Sequence, residues 1–538
     1  MRISQTLLSS TLALVATSAV CAQTPPADAI VELSRFEVEG LPVEQSINPL
    51  TRSLEGVFGD LRGVVETPRA VSTISQALMR ERGIEGVREF VGYAPGSYAP
   101  ASYGKATTPH IRGDIAETFL NGQRRSYNLY GYFPSFNNVE AVDLVRGPGS
   151  AIYGSGFFTG GYVNYVTKRP KYTPETTVTA RIGTWVPDGG SWLNGSWQID
   201  TSAPAQDGRS AWRLSYEGKE DDTFFRRSGA RDDRQDLFLA WERRVSDTLT
   251  FEANAQYLWQ ASPELLGINR PTQDLIDHGL YYIGDAADEP DFPGVIPATA
   301  AVPIARDATL FSPGDFSNAN VAYAQVIATA QLAPDRKLVN RTLLEHVNRR
   351  RHHAFEYTEY VTQWTAENRT EWHAALTLGD FEHRVIVGAT VRWEDRLSYT
   401  NYFNEYFYQY DITRTGEVFS HRDDYPSSYF PGFVGPGGRE FFPAAYGSPE
   451  TVDSTLWNPA IFVQDDVALG GGWSLLAGAR LDGFFGRARD PLPGDTERAR
   501  QADVPGDGRV IVAVVPLLGV AGQGISRASK KTVQPRAR

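Results

Sequence analysis

From about Thr176 onward the chain is written with a period of two. Between Leu249 and Trp259, the positions Leu249, Phe251, Ala253, Ala255, Tyr257 and Trp259 alternate with Thr250, Glu252, Asn254, Gln256 and Leu258. Val385, Val387, Ala389, Val391 and Trp393 alternate in the same way with Arg384, Thr390, Arg392 and Glu394. From Trp364, an oily face of Trp364, Ala366, Trp372, Ala374 and Leu376 backs a polar face of Thr365, Glu367, Arg369, Glu371 and His373. Successive side chains of a strand point to opposite faces, so each segment is a ribbon with one oily and one charged side. Ribbons of this kind build either a soluble sandwich or a barrel in a membrane.

Three features favour the barrel. The segments run to about ten residues or more, the length a tilted strand needs to cross a bilayer, whereas soluble strands average about five or six. Aromatic residues sit at segment ends, at Trp192, Trp259, Trp364, Trp393 and Trp473, as interfacial girdles require. Connections alternate between short ones ("SAPAQDGR", "RVSDT", "APDRK", "LGDFE", "LGGG") and long ones such as 262–317 and 397–455. Counting up and down predicts eleven strands, near 175–186, 191–201, 210–219, 235–244, 248–260, 319–332, 338–350, 363–377, 382–396, 456–468 and 473–486.

The N-terminus agrees with export. Met1-Arg2 gives a positive start, Leu7–Val20 an apolar stretch, and "AVCAQT" a cleavage point after Ala22, so residues 1–22 read as a signal peptide. Cys21, the single cysteine, falls inside it, which leaves no disulfide or thiol chemistry beyond. The most apolar later run, Val510–Gly522, contains Pro516 and is too short for a spanning helix of roughly 20 residues. A net charge of −12 argues against nucleic acid as a partner.

Residues 60–170 have another texture. "ETPRAVSTISQALMRERGIEGVREFVGYAPG" mixes a strand with two short helices (about 75–81 and 84–92), and "HIRGDIAETFLNGQRRS" reads as strand, turn and strand around Asn121-Gly122. This is a small α/β unit, and the glycine-dense stretch from Val145 to Pro170 allows tight turns and close backbone approach, as a stopper inside a barrel needs. Nucleotide-binding loops fail on inspection: Gly147-x-Gly149 has no glycine at 152, and no Gly-Lys-Ser/Thr closes the loop. His352-His353 reads as loop surface, without a second ligand at a fixed offset, and no nucleophile, acid–base pair or metal cluster emerges, so the chain is not read as an enzyme.

"NVEAVDLVRGPGSAIYGSGFFTGGYVNYVTKRP", with "ETPRAVSTIS", "IRG" and "FLNGQRR" in order, resembles the plug signature of TonB-dependent outer-membrane receptors of the siderophore type. The carrying residues are Arg112, Gly113, Arg146, Gly147, Pro148, Tyr153, Gly154, Gly161 and Asn164, and "NPAIFVQDDVALGGGWSLLAGARLDG" resembles a hairpin of their barrels. The resemblance implies a transmembrane antiparallel β-barrel with an N-terminal α/β plug, in the outer membrane of a Gram-negative bacterium. The parts would be a TonB box and linker (23–59), a plug (60–172), a partial barrel (173–486) and an atypical tail (487–538).

It also implies transport of a scarce ligand, a ferric siderophore first, energised by TonB with ExbB and ExbD. Outer-membrane lipid and the barrel assembly machinery are the further partners, and there is no resident cofactor. "AIVELSRFEV" resembles the TonB box, through Ile30, Val31, Glu32, Leu33, Ser34 and Phe36, and its short extended run suits strand addition. Ligand-binding candidates at the plug tips are Tyr98, Tyr103, Arg124, Arg125, Tyr130 and Tyr132, because rings and guanidinium groups suit a bulky, partly anionic iron chelate. Arg112 and Arg146 are expected to meet the lumen-facing Glu367 or Glu371. Two alternatives stand beside this reading: a receptor of the same build for a glycan or other nutrient, and a secreted β-rich binding protein.

Two departures accompany the resemblance. Eleven strands are half of the family's 22, and after Phe485 there is no aromatic residue, with ten Lys/Arg against five Asp/Glu, a texture that suggests truncation or a shifted reading frame from about Val504. Open edges facing lipid leave backbone groups unsatisfied at several kcal/mol each, so such a product alone is expected not to form a working channel.

Overall fold

In the computed structural model, the described residues are 67, 69–489 (without 101–104, 129–130, 148, 155–157, 187–189, 226–228, 263, 265–271, 284–299, 310–314, 353–356, 403–432, 435–439, 442–448 and 472), 509–511 and 519–522. The plug begins with β1 (Ala70–Ser75), whose last residue caps α1 (Gln76–Arg82): the Ser75 hydroxyl accepts the Leu78 N–H at 3.2 Å. Helix α2 is confined to Val87–Phe90, shorter than the expected 84–92, because extended Gly86 starts it and a 3₁₀ turn at Val91–Tyr93 ends it. Three short strands follow, β2 (Ser97–Tyr98), β3 (His110–Ile111) and β4 (Asp114–Ile115). Then come β5 (Glu117–Leu120), β6 (Gln123–Arg124), β7 (Val139–Arg146) and β8 (Gly161–Thr167).

The main plug sheet has the order β1-β7-β8-β5-β6, with β5 and β8 parallel. The hairpin at Asn121-Gly122 forms as read, both residues taking positive φ (45° and 81°). A second reversal of the same kind, at Arg112 (φ 54°) and Gly113 (φ 86°), joins β3 to β4. The sheet packs on the helices through Ile74, Met79, Phe90, Val142, Leu144 and Val163, an apolar core of ordinary kind.

The wall is built from long antiparallel strands: β9 (Glu175–Trp185), β10 (Trp192–Pro204), β11 (Ser210–Asp221), β12 (Asp233–Ser246) and β13 (Leu249–Ala261). After a long connection holding α3 (Gln273–His278), β14 (Leu280–Ile283) and β15 (Ala300–Pro303), it continues with β16 (Phe316–Ala333), β17 (Arg336–His352), β18 (Tyr357–Leu378) and β19 (Phe381–Tyr402). A second long connection holds β20 (Phe433–Val434) and β21 (Glu440–Phe441) before β22 (Pro449–Gly470) and β23 (Trp473–Arg489). Each long strand pairs with its sequence neighbours, and the eleven expected strands are all present. His352, read as loop, ends β17. Short strands β24 (Arg509–Ile511) and β25 (Gly519–Gly522) pair along the free side of β23.

The wall is inside-out relative to the plug. Ile182 is 86% exposed and Ile461 60%, whereas Glu345 and Glu371 are fully buried. Exterior aromatics lie at both ends of the strands and pair across them, Trp212 opposite Trp241 near the short turns and Trp393 opposite Trp457 nearer the long loops. Two such belts, with aliphatic residues between them, suit a bilayer with two polar interfaces.

Candidate functional site

The polar face of the wall closes on the plug. Successive strands contribute Asp200 (β10), Ser215 (β11), Asp236 (β12), Gln256 (β13), Gln325 (β16), Glu345 (β17), Glu367 and Arg369 (β18), Arg392 (β19) and Arg480 (β23), all in contact with plug residues. The sheet therefore wraps around the plug. Among the guanidinium groups that grip its backbone, Arg369 donates to the Gly122 carbonyl (2.6 Å), Arg392 to that of Arg124 (2.6 Å) and Arg480 to that of Ile152 (3.1 Å). Each is also paired with a wall carboxylate, Glu371, Glu367 and Asp482 respectively.

Plug cations carry charge across the seam. Arg125 donates to Glu345 at 2.8 Å, and the Ser126 N–H reaches the other oxygen of that carboxylate at 2.7 Å. Burial opposes the Arg125 charge, but Glu345, Tyr132 and Tyr323 together hold its pKa above the ordinary value. At the plug's exit, Lys168 pairs with Asp200 at 2.6 Å, and Arg213 clamps the same carboxylate. Another cation, the fully buried Lys105, donates to Ser317 at 2.7 Å, and burial pulls its ammonium down to about 8.

The signature residues are placed as follows. Asn164 accepts the Gly122 N–H at 2.8 Å, locking the β5–β6 hairpin onto β8. Tyr153 packs edge-on against Phe119 under the Arg369 guanidinium. Gly154 has φ +83°, and a Cβ there would lie 3.0 Å from the Arg480 guanidinium; at Gly161 a Cβ would lie 2.3 Å from the Val145 carbonyl. The Gly147 N–H donates to the Gly160 carbonyl at 2.8 Å, and Pro148 lies outside the described residues. Arg112, at the β3–β4 turn with Gly113, is exposed, and Arg146 donates to Ser72 (3.0 Å) and the Pro95 carbonyl (3.3 Å).

The expected pairing of Arg112 or Arg146 with Glu367 or Glu371 is thus corrected. Those glutamates do face the lumen, but the wall's own Arg392, Arg369 and Arg341 neutralise them. The plug arginines that meet wall glutamates among the described residues include Arg125, with Glu345, and Arg169, with Glu252 at 3.2 Å.

Above this seam lies a cavity of about 380 Å³. Arg124, Tyr127 and Phe158 line it from the plug, and Gln363, Glu394 and Arg396 from the wall. The Tyr127 and Phe158 rings stack, with centroids 5.9 Å apart. Of the candidates read from sequence, Arg124 and Arg125 border the cavity. Tyr98 is exposed beside His110, away from it. Tyr132 is buried against Leu258, Val321 and Val347, where burial pushes its hydroxyl up to about 12. Tyr103, Tyr130 and the segment Ile30–Phe36 lie outside the described residues. Glu394 and Arg396 were missed as site residues: alternation shows that Glu394 faces inward but not the height at which it meets the plug.

An α/β stopper held by hydrogen bonds inside an antiparallel wall with an oily outer face, and a charged cavity above it, is the architecture of a plugged transmembrane barrel. Comparison with known proteins agrees. Residues 64–161 match the TonB-dependent Receptor Plug Domain. Over 123 residues the chain is 32% identical to the ferrioxamine receptor of Yersinia enterocolitica, covering 21% of this chain and 17% of that protein. Over 145 residues it is 32% identical to the probable TonB-dependent receptor BfrD of Bordetella pertussis, covering 25% and 18%. The aligned stretches thus span less than a fifth of either relative. In fold, the chain resembles the open form of the ferric-catecholate import receptor Fiu from E. coli K12 (TM-score 0.61, 15% identity, 88% of this chain and 69% of that one). It also resembles the siderophore receptor PiuA from Acinetobacter baumannii (TM-score 0.58, 16% identity, 85% and 63%). Residues 64–161 thus match the plug domain of TonB-dependent receptors, and the chain as a whole shares the fold of solved siderophore receptors.

Proposed function

We propose that the chain supplies the plug and part of the barrel of a receptor for TonB-dependent uptake of a ferric siderophore across the outer membrane of a Gram-negative bacterium, and that the open-edged wall alone does not support uptake. The observation that carries this is the cavity above the plug: it is bordered by guanidinium groups and a stacked aromatic pair, and is closed below by hydrogen bonds rather than by a continuous apolar core. The plug that separates this cavity from the far side is held to the wall largely through hydrogen bonds, which water can replace. The outer membrane holds no nucleotide pool, so the work of opening arrives from inside, through a strand added by TonB to the segment Ile30–Phe36.

The test is iron-limited growth of a receptor-deleted strain carrying this chain, supplied with defined ferric chelates, with and without residues 29–38. Chelate binding without growth rescue supports the proposal, whereas rescue that disappears with the segment keeps the TonB-driven route and overturns the inactivity of the open-edged wall alone. Binding of an oligosaccharide instead of any chelate transfers the architecture to another nutrient, and recovery of the protein in culture medium, not in outer membrane, overturns it.

A further inference from the structure

The charges around the cavity are unequally matched, and the mismatch bears on its ligand. Arg125 is neutralised by Glu345 at 2.8 Å. Glu394 is held by Arg392 at 2.6 Å, and Arg392 also takes Glu367 at 2.9 Å. Deeper in the wall, Glu359 is taken by Arg349 and Arg351. Glu117, on β5, shares the cavity with Arg124, which feels its charge. Arg396 differs from these. It lines the cavity from β19, two residues beyond Glu394 on the same inward face; the Glu359 and Glu394 carboxylates act on its charge, but its buried Nε has no hydrogen-bond partner among the described residues, a state shared with the Nε atoms of Arg349 and Arg351, which do not line the cavity.

A buried guanidinium donor without an acceptor is costly, and an incoming anionic oxygen removes that cost. Across the same cavity, the stacked Tyr127 and Phe158 rings offer a flat π surface. A ligand that meets both needs anionic oxygens carried on aromatic rings.

Resting on the siderophore reading above, we infer that Arg396 and the Tyr127–Phe158 pair select net-anionic ferric catecholates, with Arg396 as the specificity-determining residue. A ferric carboxylate satisfies the guanidinium but not the rings. A hydroxamate chelate with a free ammonium satisfies neither and brings its own positive charge toward Arg124 and Arg396.

The test titrates the full chain in detergent with three probes: a ferric tris-catecholate, ferric citrate, and the ferric complex of a linear trihydroxamate bearing a free amine. The readouts are tryptophan quenching and retained radioactive iron. In the unaltered chain the catecholate binds tightest. Arg396→Gln weakens catecholate and citrate by about tenfold or more, the value of one charge-assisted bond, and leaves the trihydroxamate unchanged or somewhat tighter, since one repelling charge is removed. Arg396→Lys recovers much of the loss, which separates charge recognition from misfolding. Tyr127→Ala weakens the catecholate alone. Equal losses on all three probes after Arg396→Gln, no loss on any, or tightest binding of the trihydroxamate overturns this inference while the siderophore reading stands. If no ferric probe binds the unaltered chain, the siderophore reading falls and takes this inference with it.

Discussion

The plug and the wall obey the same physical rule and arrive at opposite arrangements. In the plug, Ile74, Val142, Leu144 and Val163 are hidden and charges such as Arg80 and Arg88 are outside. In the wall, Ile182 and Ile461 are outside while Glu345, Glu371 and Arg369 are hidden. Apolar surface avoids water in both, but the wall has lipid on its outer side and the plug within, so its buried face is the polar one. The consequence is at the seam, where both partners present polar groups. Contact there is made largely by hydrogen bonds and ion pairs, beside apolar patches where Tyr323 and Leu343 join the plug core, Tyr132 meets Leu258, Val321 and Val347, and Ile152 meets Ile386 and Phe462.

The largest effect is expected where a charge is shared across that seam. Glu345→Ala leaves Arg125 buried without its carboxylate and should loosen plug seating by about 3–5 kcal/mol, read as protease access to the plug. Replacing both residues by leucine should restore most of the loss, whereas equal damage from the single and double changes would show that the pair is not the cause. Next comes the exterior. Ile461→Arg places a charge in lipid and should cost about 2–4 kcal/mol if the residue lies near the midplane, read as lost assembly in outer membrane. A gain in solubility with full folding would mean that this face sees water.

A smaller change probes close approach at the seam. Gly154→Ala forces a Cβ against Arg480 at a φ of +83° and should cost roughly 1–3 kcal/mol, visible as faster hydrogen exchange around 151–154. The smallest effect involves Asp114, whose carboxylate accepts the N–H groups of Thr159 and Gly160. These bonds lower its pKa, led by the one from Thr159. A depressed carboxylate contributes above its unfolded pKa and loses that contribution as pH falls through the folded value, so exchange at the Thr159 and Gly160 amides should rise below about pH 4. Asp114→Asn should reproduce part of that rise at neutral pH.

How much of this was legible beforehand differs between the regions for the same reason. Lipid on one side and polar groups on the other imprint a period of two, and the eleven wall strands were readable from it. Their ends were not: β18 begins at Tyr357 and β19 extends to Tyr402, beyond the expected 363 and 396, because strands that project past the bilayer no longer need an oily outer face. In the plug, Asn121-Gly122 announced its turn, whereas Arg112-Gly113 did not, since arginine is an uncommon residue at positive φ. The cavity was half visible. Arg124 and Arg125 lie on a recognisable tip, but Glu394 and Arg396 belong to it only through the height at which the plug sits in the wall, which alternation does not encode.

The grip of Arg369, Arg392 and Arg480 on main-chain oxygens has a consequence for change over time. Any amino acid supplies a carbonyl, so the residues at 122, 124 and 152 need satisfy only shape and backbone angle to keep the stopper anchored. The tip can therefore exchange its chemistry for a new cargo without surrendering the hold of the surrounding strands, and retuning of selectivity need not weaken closure.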